Sequence, residues 1–362
     1  MIYFCVFCFI SLTTLLDNCK KAKYWKVVVC LFILLLFILI SGLRWNTGTD
    51  WNSYYKYYTL NNSWVNFFDG SFENGYSFLS YLFKSWCLSY TSFLFFFALL
   101  VIVIKFYAIK DISVYFFSAC LLNFSLFFAD IFFTRQSLAI SLTLLSTIFI
   151  RKKNPIFFCV FVFLASLFHI TALCYILAYP IYYIRFSTRK LVVFLVSCFI
   201  IGLFFDQIFL FFMNFFSDNS STSRIVGKLL SYKIIASTRG GSSLFAYLRK
   251  LFPVFLILLC YKKIVKKNIN ITGYINLYLF GIGLYFVFIK YFIDFQRLCA
   301  YFGVFEIVVI PLFTSLFPKK QKIFIQLIFI LYCAVSILLV INGMYGKFYL
   351  PYFSIFSNNL IR

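Results

Sequence analysis

The sequence predicts an all-helical, polytopic integral membrane protein, and three observations carry that prediction. The 362 residues are 64% hydrophobic, with a mean hydropathy of +0.96, far above the range of water-soluble domains. Apolar runs recur along the whole length, so the chain is expected to cross the bilayer many times and not to hang from one anchor. Those runs are long and lack the two-residue alternation of a barrel strand, which leaves the helix as the spanning structure. A net charge of +23 suggests nucleic acid at first sight. Most of the charge lies in short clusters between apolar runs, where lysine sets topology, so a lipid bilayer and no nucleic acid is the expected partner. No polar stretch is long enough to form a separate soluble enzyme, and residues 1–362 read as a single membrane domain whose chemistry takes place at or in the membrane.

Taken in order, the first apolar run, residues 2–16, has no basic residue before it and Lys20, Lys21, Lys23 and Lys26 after it. A signal peptide carries its positive charge first, so this reads as a retained span with its N-terminus outside. Further spans are expected at 27–43, 88–108, 112–132, 135–150, 155–168, 170–184, 191–212, 244–261, 271–291, 296–317 and 323–341. That makes about 12 transmembrane helices with both termini outside. On this map the clusters Lys20–Lys26, Lys105 with Lys110, Arg151–Lys153, Arg185–Lys190, Lys262–Lys267 and Lys319–Lys322 all face inward. They hold 19 of the 33 basic residues, 16 of them Lys, as the positive-inside rule requires.

Arginine and acid are distributed differently. Of the 14 remaining basic residues 7 are Arg, and Asp50, Asp69, Glu73, Asp130, Asp218 and Asp294 fall outside or at the outer rim, against Asp17 and Asp111 inside. Asp206 and Glu306 fall within spans. The outer (periplasmic or extracellular) face is therefore the expected functional face. It carries two long loops, 44–87, rich in Trp, Tyr and Asn, and 213–243, rich in Ser, Asn and Gly. In the first, "SFLSYLFKSWCLSY" has the pattern of an interfacial amphipathic helix. The twelve cysteines are scattered through the apolar spans as small buried residues, and Cys5 and Cys8 lack the polar context of a redox pair. No internal or inverted repeat of broken helices points to a transporter.

Candidate site residues follow from charges that topology does not need. Arg44 ends the second span and either snorkels to the interface or serves a ligand. Asp50 either caps the helix that starts at Trp51 or acts chemically, and Gly48 between them permits a tight turn. Arg135 and Gln136 open the fifth span, against both the macrodipole and the positive-inside bias. An anionic ligand would relieve that, as would a salt bridge to Asp130. His169, the only histidine, sits in the apolar "SLFHITAL", where an ionisable side chain is a functional candidate; one histidine with no Cys/His/Asp ladder gives no metal site. Arg249 lies five residues into the ninth span and Arg297 beside Asp294, either paired with it or turned to a wet cavity. Glu73 reads as a loop carboxylate or a catalytic one. Planar guanidinium groups suit phosphate oxygens. Trp51, Tyr54, Tyr55, Tyr57 and Tyr58 suit sugar rings and an interface belt equally.

The stretches "GLRWNTGTDWNSYY", "FENGYSFL", "TRQSLAISL", "SLFHITAL", "QRLCAYF" and "LPYFSIF", in this order and over nearly the whole chain, resemble the EpsG-like branch of the Wzy polysaccharide polymerases. The resemblance implies a metal-independent glycosyltransferase of the bacterial cytoplasmic (inner) membrane, without cofactor. Its substrate would be an oligosaccharide repeat unit on undecaprenyl pyrophosphate, polymerised on the outer leaflet into exopolysaccharide or O-antigen, with a chain-length regulator as a further partner. Arg44, Arg135 and Arg297, with Gln136, Arg249 and Tyr54, would bind pyrophosphate and glycan. Asp50, His169 or Glu73 would act at the glycosyl end. The alternatives are a flippase or exporter of the same lipid-linked glycan, a glycan ligase with the same pyrophosphate chemistry, and a membrane O-acyltransferase built around His169.

Overall fold

The computed structural model describes residues 2–19, 21–132, 134–205, 207–208, 211, 244–267, 271–288, 293–343 and 345–357. Among the described residues there is no strand: the elements are helices, with a single isolated bridge between Arg44 and Ser354. Among the described residues four helical segments are long and apolar enough to cross a membrane, Lys23–Gly42, Tyr90–Ile112, Arg297–Leu316 and Lys320–Ile341. Of the remaining expected spans, 244–261 lies within the 24-residue helix Leu244–Lys267, and the others fall on shorter helices. Phe116–Leu126 stands where 112–132 was expected; its 11 residues rise about 16 Å, half of a bilayer core of about 30 Å. The expected span 170–184 starts as a 3₁₀ helix, Ile170–Leu177, and continues as the short helix Ala178–Tyr183. Loop 44–87 contains three helices, Trp51–Leu60, Trp64–Phe67 and Asn74–Ser85. The last of these buries Tyr76, Ser77, Ser80 and Phe83 on one face. Loop 213–243, Asp206 and the Asp294 side chain lie outside the described residues.

The chain divides into two compact units, residues 1–176 with 310–362, and residues 177–309. At the centre of the first stands Arg135–Arg151, with Ser137, Ser141, Thr143, Ser146 and Thr147 all fully buried. Most of these hydroxyls are satisfied within the helix, as Ser141 Oγ donates to the Ser137 carbonyl at 2.7 Å and Ser146 Oγ to that of Thr143 at 2.7 Å. With small residues on its surface, this helix lets Tyr90–Ile112 and Pro155–Ser166 pack close. In the second unit the helices Thr188–Leu203, Leu244–Lys267 and Ile293–Gly303 pack on Ile271–Val287, and Lys250 Nζ donates to the fully buried Glu306 carboxylate at 3.5 Å.

Lys105 overturns part of the lysine count. It is no loop residue but lies seven positions before the end of Tyr90–Ile112, buried, and it is ion-paired with Asp130. The reason is geometric. The short helix Phe116–Leu126 leaves Asp130 within the protein, in a 3₁₀ turn, and the long neighbouring helix carries Lys105 in to meet it. Ser137 Oγ also donates to the Asp130 carboxylate, at 2.5 Å. The cysteines also differ from expectation. All twelve are free, but only Cys120, Cys198, Cys299 and Cys333 are buried.

Candidate functional site

The site in the first unit starts where Lys23–Gly42 ends. A helix leaves its last carbonyls without partners, and Arg44 turns back to take one. Its Nη1 donates to the Ser41 carbonyl at 2.8 Å and to Ser41 Oγ at 3.2 Å. Ser41 Oγ in turn donates to the Ile131 carbonyl at 2.7 Å. The chain then bends at Asn46 (φ +45°) and Gly48 (φ +108°). At Gly48 a side chain would be strained by that angle and would press on Phe132. Residues 348–355 complete the turn. Trp45 N donates to the Phe353 carbonyl at 2.9 Å, Gly48 N to that of Phe348 at 2.8 Å, and Ile355 N to that of Leu43 at 3.0 Å.

Arg44 therefore does not snorkel. It is 2% exposed, and among the described residues no carboxylate pairs with it. Its Nε has no hydrogen-bond partner. Burial pulls the guanidinium below its ordinary pKa, against the electrostatic pull of the Tyr90, Tyr352, Tyr54 and Tyr76 hydroxyls. The Tyr76 and Tyr90 hydroxyls and Trp51 Nε1 are likewise buried without partners. A buried polar atom without a partner costs on the order of 1–3 kcal/mol. A group of them near an uncompensated cation has the chemistry to serve as the donor set for an anion.

Arg135 is compensated, but not by Asp130, the protein partner that the sequence offers. Asp130 is taken by Lys105, and Arg135 Nη1 pairs instead with Glu73. Arg135 Nε donates to Tyr54 Oη at 3.1 Å, and its Cζ lies over the Phe72 ring at 4.3 Å from the centroid. The other Glu73 oxygen accepts from Ile170 N at 3.4 Å. Gly75 N donates to the Leu167 carbonyl at 2.8 Å, and a Cβ on Gly75 would come within 2.7 Å of that oxygen. The stretch 73–75 is thus laced to 167–170, beside His169. His169 is buried, with Nδ1 2.5 Å from Thr171 Oγ1. Tyr54 and Tyr76 lie within electrostatic reach of both Arg44 and Arg135, and the Arg135 Cζ is 5.3 and 5.9 Å from their ring centroids.

Asp50 precedes Trp51–Leu60 but does not cap it, since its side chain makes no cap hydrogen bond. The half-buried carboxylate has no hydrogen-bond partner among the described residues. Its charge reaches Tyr349, whose hydroxyl is pushed well up in pKa by burial first and by Asp50 second. Trp51 stacks on Tyr55 with centroids 4.8 Å apart and ring planes 12° apart.

The sequence profile of the EpsG family matches residues 27–354. The chain belongs to the EpsG family. An EpsG-family protein has a polysaccharide-polymerase-type role in polysaccharide biosynthesis, and the apolar helices agree with an integral membrane protein. No curated protein and no solved structure matches the chain. In this EpsG-family chain the first unit holds Arg44, Asp50, Tyr54, Glu73, Arg135, Gln136 and His169, seven of the nine residues expected at a site. Arg249, half-buried, and Arg297, exposed, belong to the second unit. Sequence reasoning passed over Tyr76 and Tyr90, two of 27 tyrosines. It also passed over the Lys105–Asp130 pair, whose partners are 25 residues apart.

Proposed function

We propose that this EpsG-family chain is a glycosyltransferase of the bacterial cytoplasmic membrane that polymerises lipid-linked oligosaccharide repeat units on the outer leaflet. The growing glycan leaves one undecaprenyl pyrophosphate carrier and joins the non-reducing end of a unit held on another. Arg44 carries the reading: a guanidinium this deeply buried, without a carboxylate, needs an anion to complete it, and the leaving pyrophosphate is one. Arg44 and Arg135, both within electrostatic reach of Tyr54 and Tyr76, would stabilise charge as it develops on that leaving group. Asp50, free of cap and hydrogen bond, would face the oxocarbenium-like glycosyl centre, and the ring faces of Trp51 and Tyr55 would take sugar.

The test is deletion of the gene followed by gel analysis of surface glycan. Loss of the polymer ladder, with a single repeat unit left on its carrier, is the expected result. Absence of any repeat at the surface would instead indicate a flippase or a ligase, and an unchanged ladder would sink the proposal.

A further inference from the structure

We infer that Glu73 is a resident stand-in for the substrate phosphate and, once displaced, the general base of the reaction. This rests on the reading of the site given above. The four described ion pairs differ in how they can be used. Lys105–Asp130 keeps 5% and 8% of its side-chain surface exposed and is sealed, a structural pair. Lys250–Glu306 has a carboxylate with no exposure at all. Arg151–Asp111 is open, at 33% and 34%, but lies at the opposite end of Arg135–Arg151 from Arg135. Arg135–Glu73 is open enough to exchange, at 19% and 20%, and it lies in the tyrosine cluster.

What Glu73 occupies is a site for an oxyanion. One oxygen takes the Arg135 guanidinium and the other the Ile170 amide, two donors that a phosphate group would take in the same way. Glu73 also stands at the N-cap of Asn74–Ser85, where a carboxylate ordinarily turns in to bond the first amides. Here the side chain makes no cap bond, so leaving Arg135 breaks no contact within its helix. A phosphate arriving on the Arg135 guanidinium and the Ile170 amide therefore releases a carboxylate at the edge of the site, beside the bound pyrophosphate.

The released group then balances the transfer. The acceptor hydroxyl gives its proton to the Glu73 carboxylate as its oxygen bonds to the anomeric carbon. The bond from that carbon to the pyrophosphate oxygen breaks, and the electron pair leaves on the pyrophosphate held by the arginines. The base is thus available only when the leaving group is seated, which disfavours transfer from an empty site.

The experiment uses the full chain in nanodiscs, with two readouts. The first is binding of inorganic pyrophosphate by calorimetry. The second is the initial rate of polymer formation from purified lipid-linked repeat units. Glu73→Gln removes the competing charge and the proton acceptor while keeping the shape. Expected are tighter pyrophosphate binding, by roughly tenfold, and turnover lowered by about 10²–10⁴, the usual share of a general base. Unchanged or weaker pyrophosphate binding would mean that Glu73 merely positions Arg135, and normal turnover would remove it as the base; either result overturns the inference. If Glu73→Gln is not recovered folded, Glu73→Asp decides. Its shorter carboxylate loses Arg135 but remains a base, so tighter pyrophosphate binding with partial turnover is expected, and weaker binding overturns the inference. Absence of polymer from the unaltered chain would refute the function itself, whereas normal polymer with unaltered Glu73→Gln behaviour would refute only this role.

Discussion

Replacing Arg44 with methionine should separate stability from function. In the ligand-free protein the guanidinium is 2% exposed and has no carboxylate partner, and an ion in that position costs several kcal/mol. Methionine is of similar volume, though shorter, and apolar. Its introduction loses the bonds from Nη1 to Ser41, of which the carbonyl bond matters most, because that oxygen is left without a donor at a cost of about 1–3 kcal/mol. Ser41 Oγ keeps its own acceptor at Ile131. The balance is a neutral to favourable change, up to roughly 3 kcal/mol. Arg135→Met is the control of opposite sign. It strands the Glu73 carboxylate and removes the cation over Phe72, for a loss of about 1–2 kcal/mol after allowance for partial exposure. The assay is the apparent unfolding temperature of both variants in one detergent at one protein concentration, beside a surface-glycan gel. Arg44→Met should unfold no lower than the unaltered protein yet make no polymer. If it unfolds lower than Arg135→Met, Arg44 is a structural tie and the anion-site argument is wrong.

Two further tests address the chemistry and the orientation of the site. Because Asp50 makes no cap bond, Asp50→Asn should leave the unfolding temperature unchanged. It should nevertheless collapse the polymer ladder to short products by removing a charge at the glycosyl centre; a normal ladder with normal protein levels would exclude Asp50 from the chemistry. Asn62, exposed between two helices of the 44–87 loop, should as cysteine react with an impermeant maleimide in intact cells, in a background without reactive native thiols. Reaction only after lysis would place the site on the inner face.

Helical character and the apolar runs were legible in the sequence because each rests on local pattern. Partners were not. Asp130, five residues from Arg135, is one of two partners that the sequence allows it, beside an anionic ligand, yet the short helix before Asp130 hands it to Lys105 on a neighbouring helix. Asp50 occupies an N-cap position by sequence, but its backbone (φ −107°, ψ 2°) goes with no side-chain cap bond. Arg44 had the look of an interfacial arginine, because the segment that buries its turn comes some 300 residues later. That segment, "LPYFSIF", could be linked to the family but not to Arg44. Hydropathy alone could not foresee that 112–132 would fold as a half-length helix and a 3₁₀ turn. An apolar composition fixes preference for lipid or core, not where a helix stops.

The turn that carries Arg44 is stitched to residues 348–355, and Thr47 donates to a carbonyl 306 positions downstream. Synthesis at about 5–20 residues per second puts some 15–60 s between the appearance of Arg44 and that of the segment stitched to its turn. Throughout that interval the arginine is an open end of the second helix, free to remain at the water boundary. The burial of this cation as the structure shows it therefore requires residues 348–355 to have been made, long after the helix that ends beside Arg44.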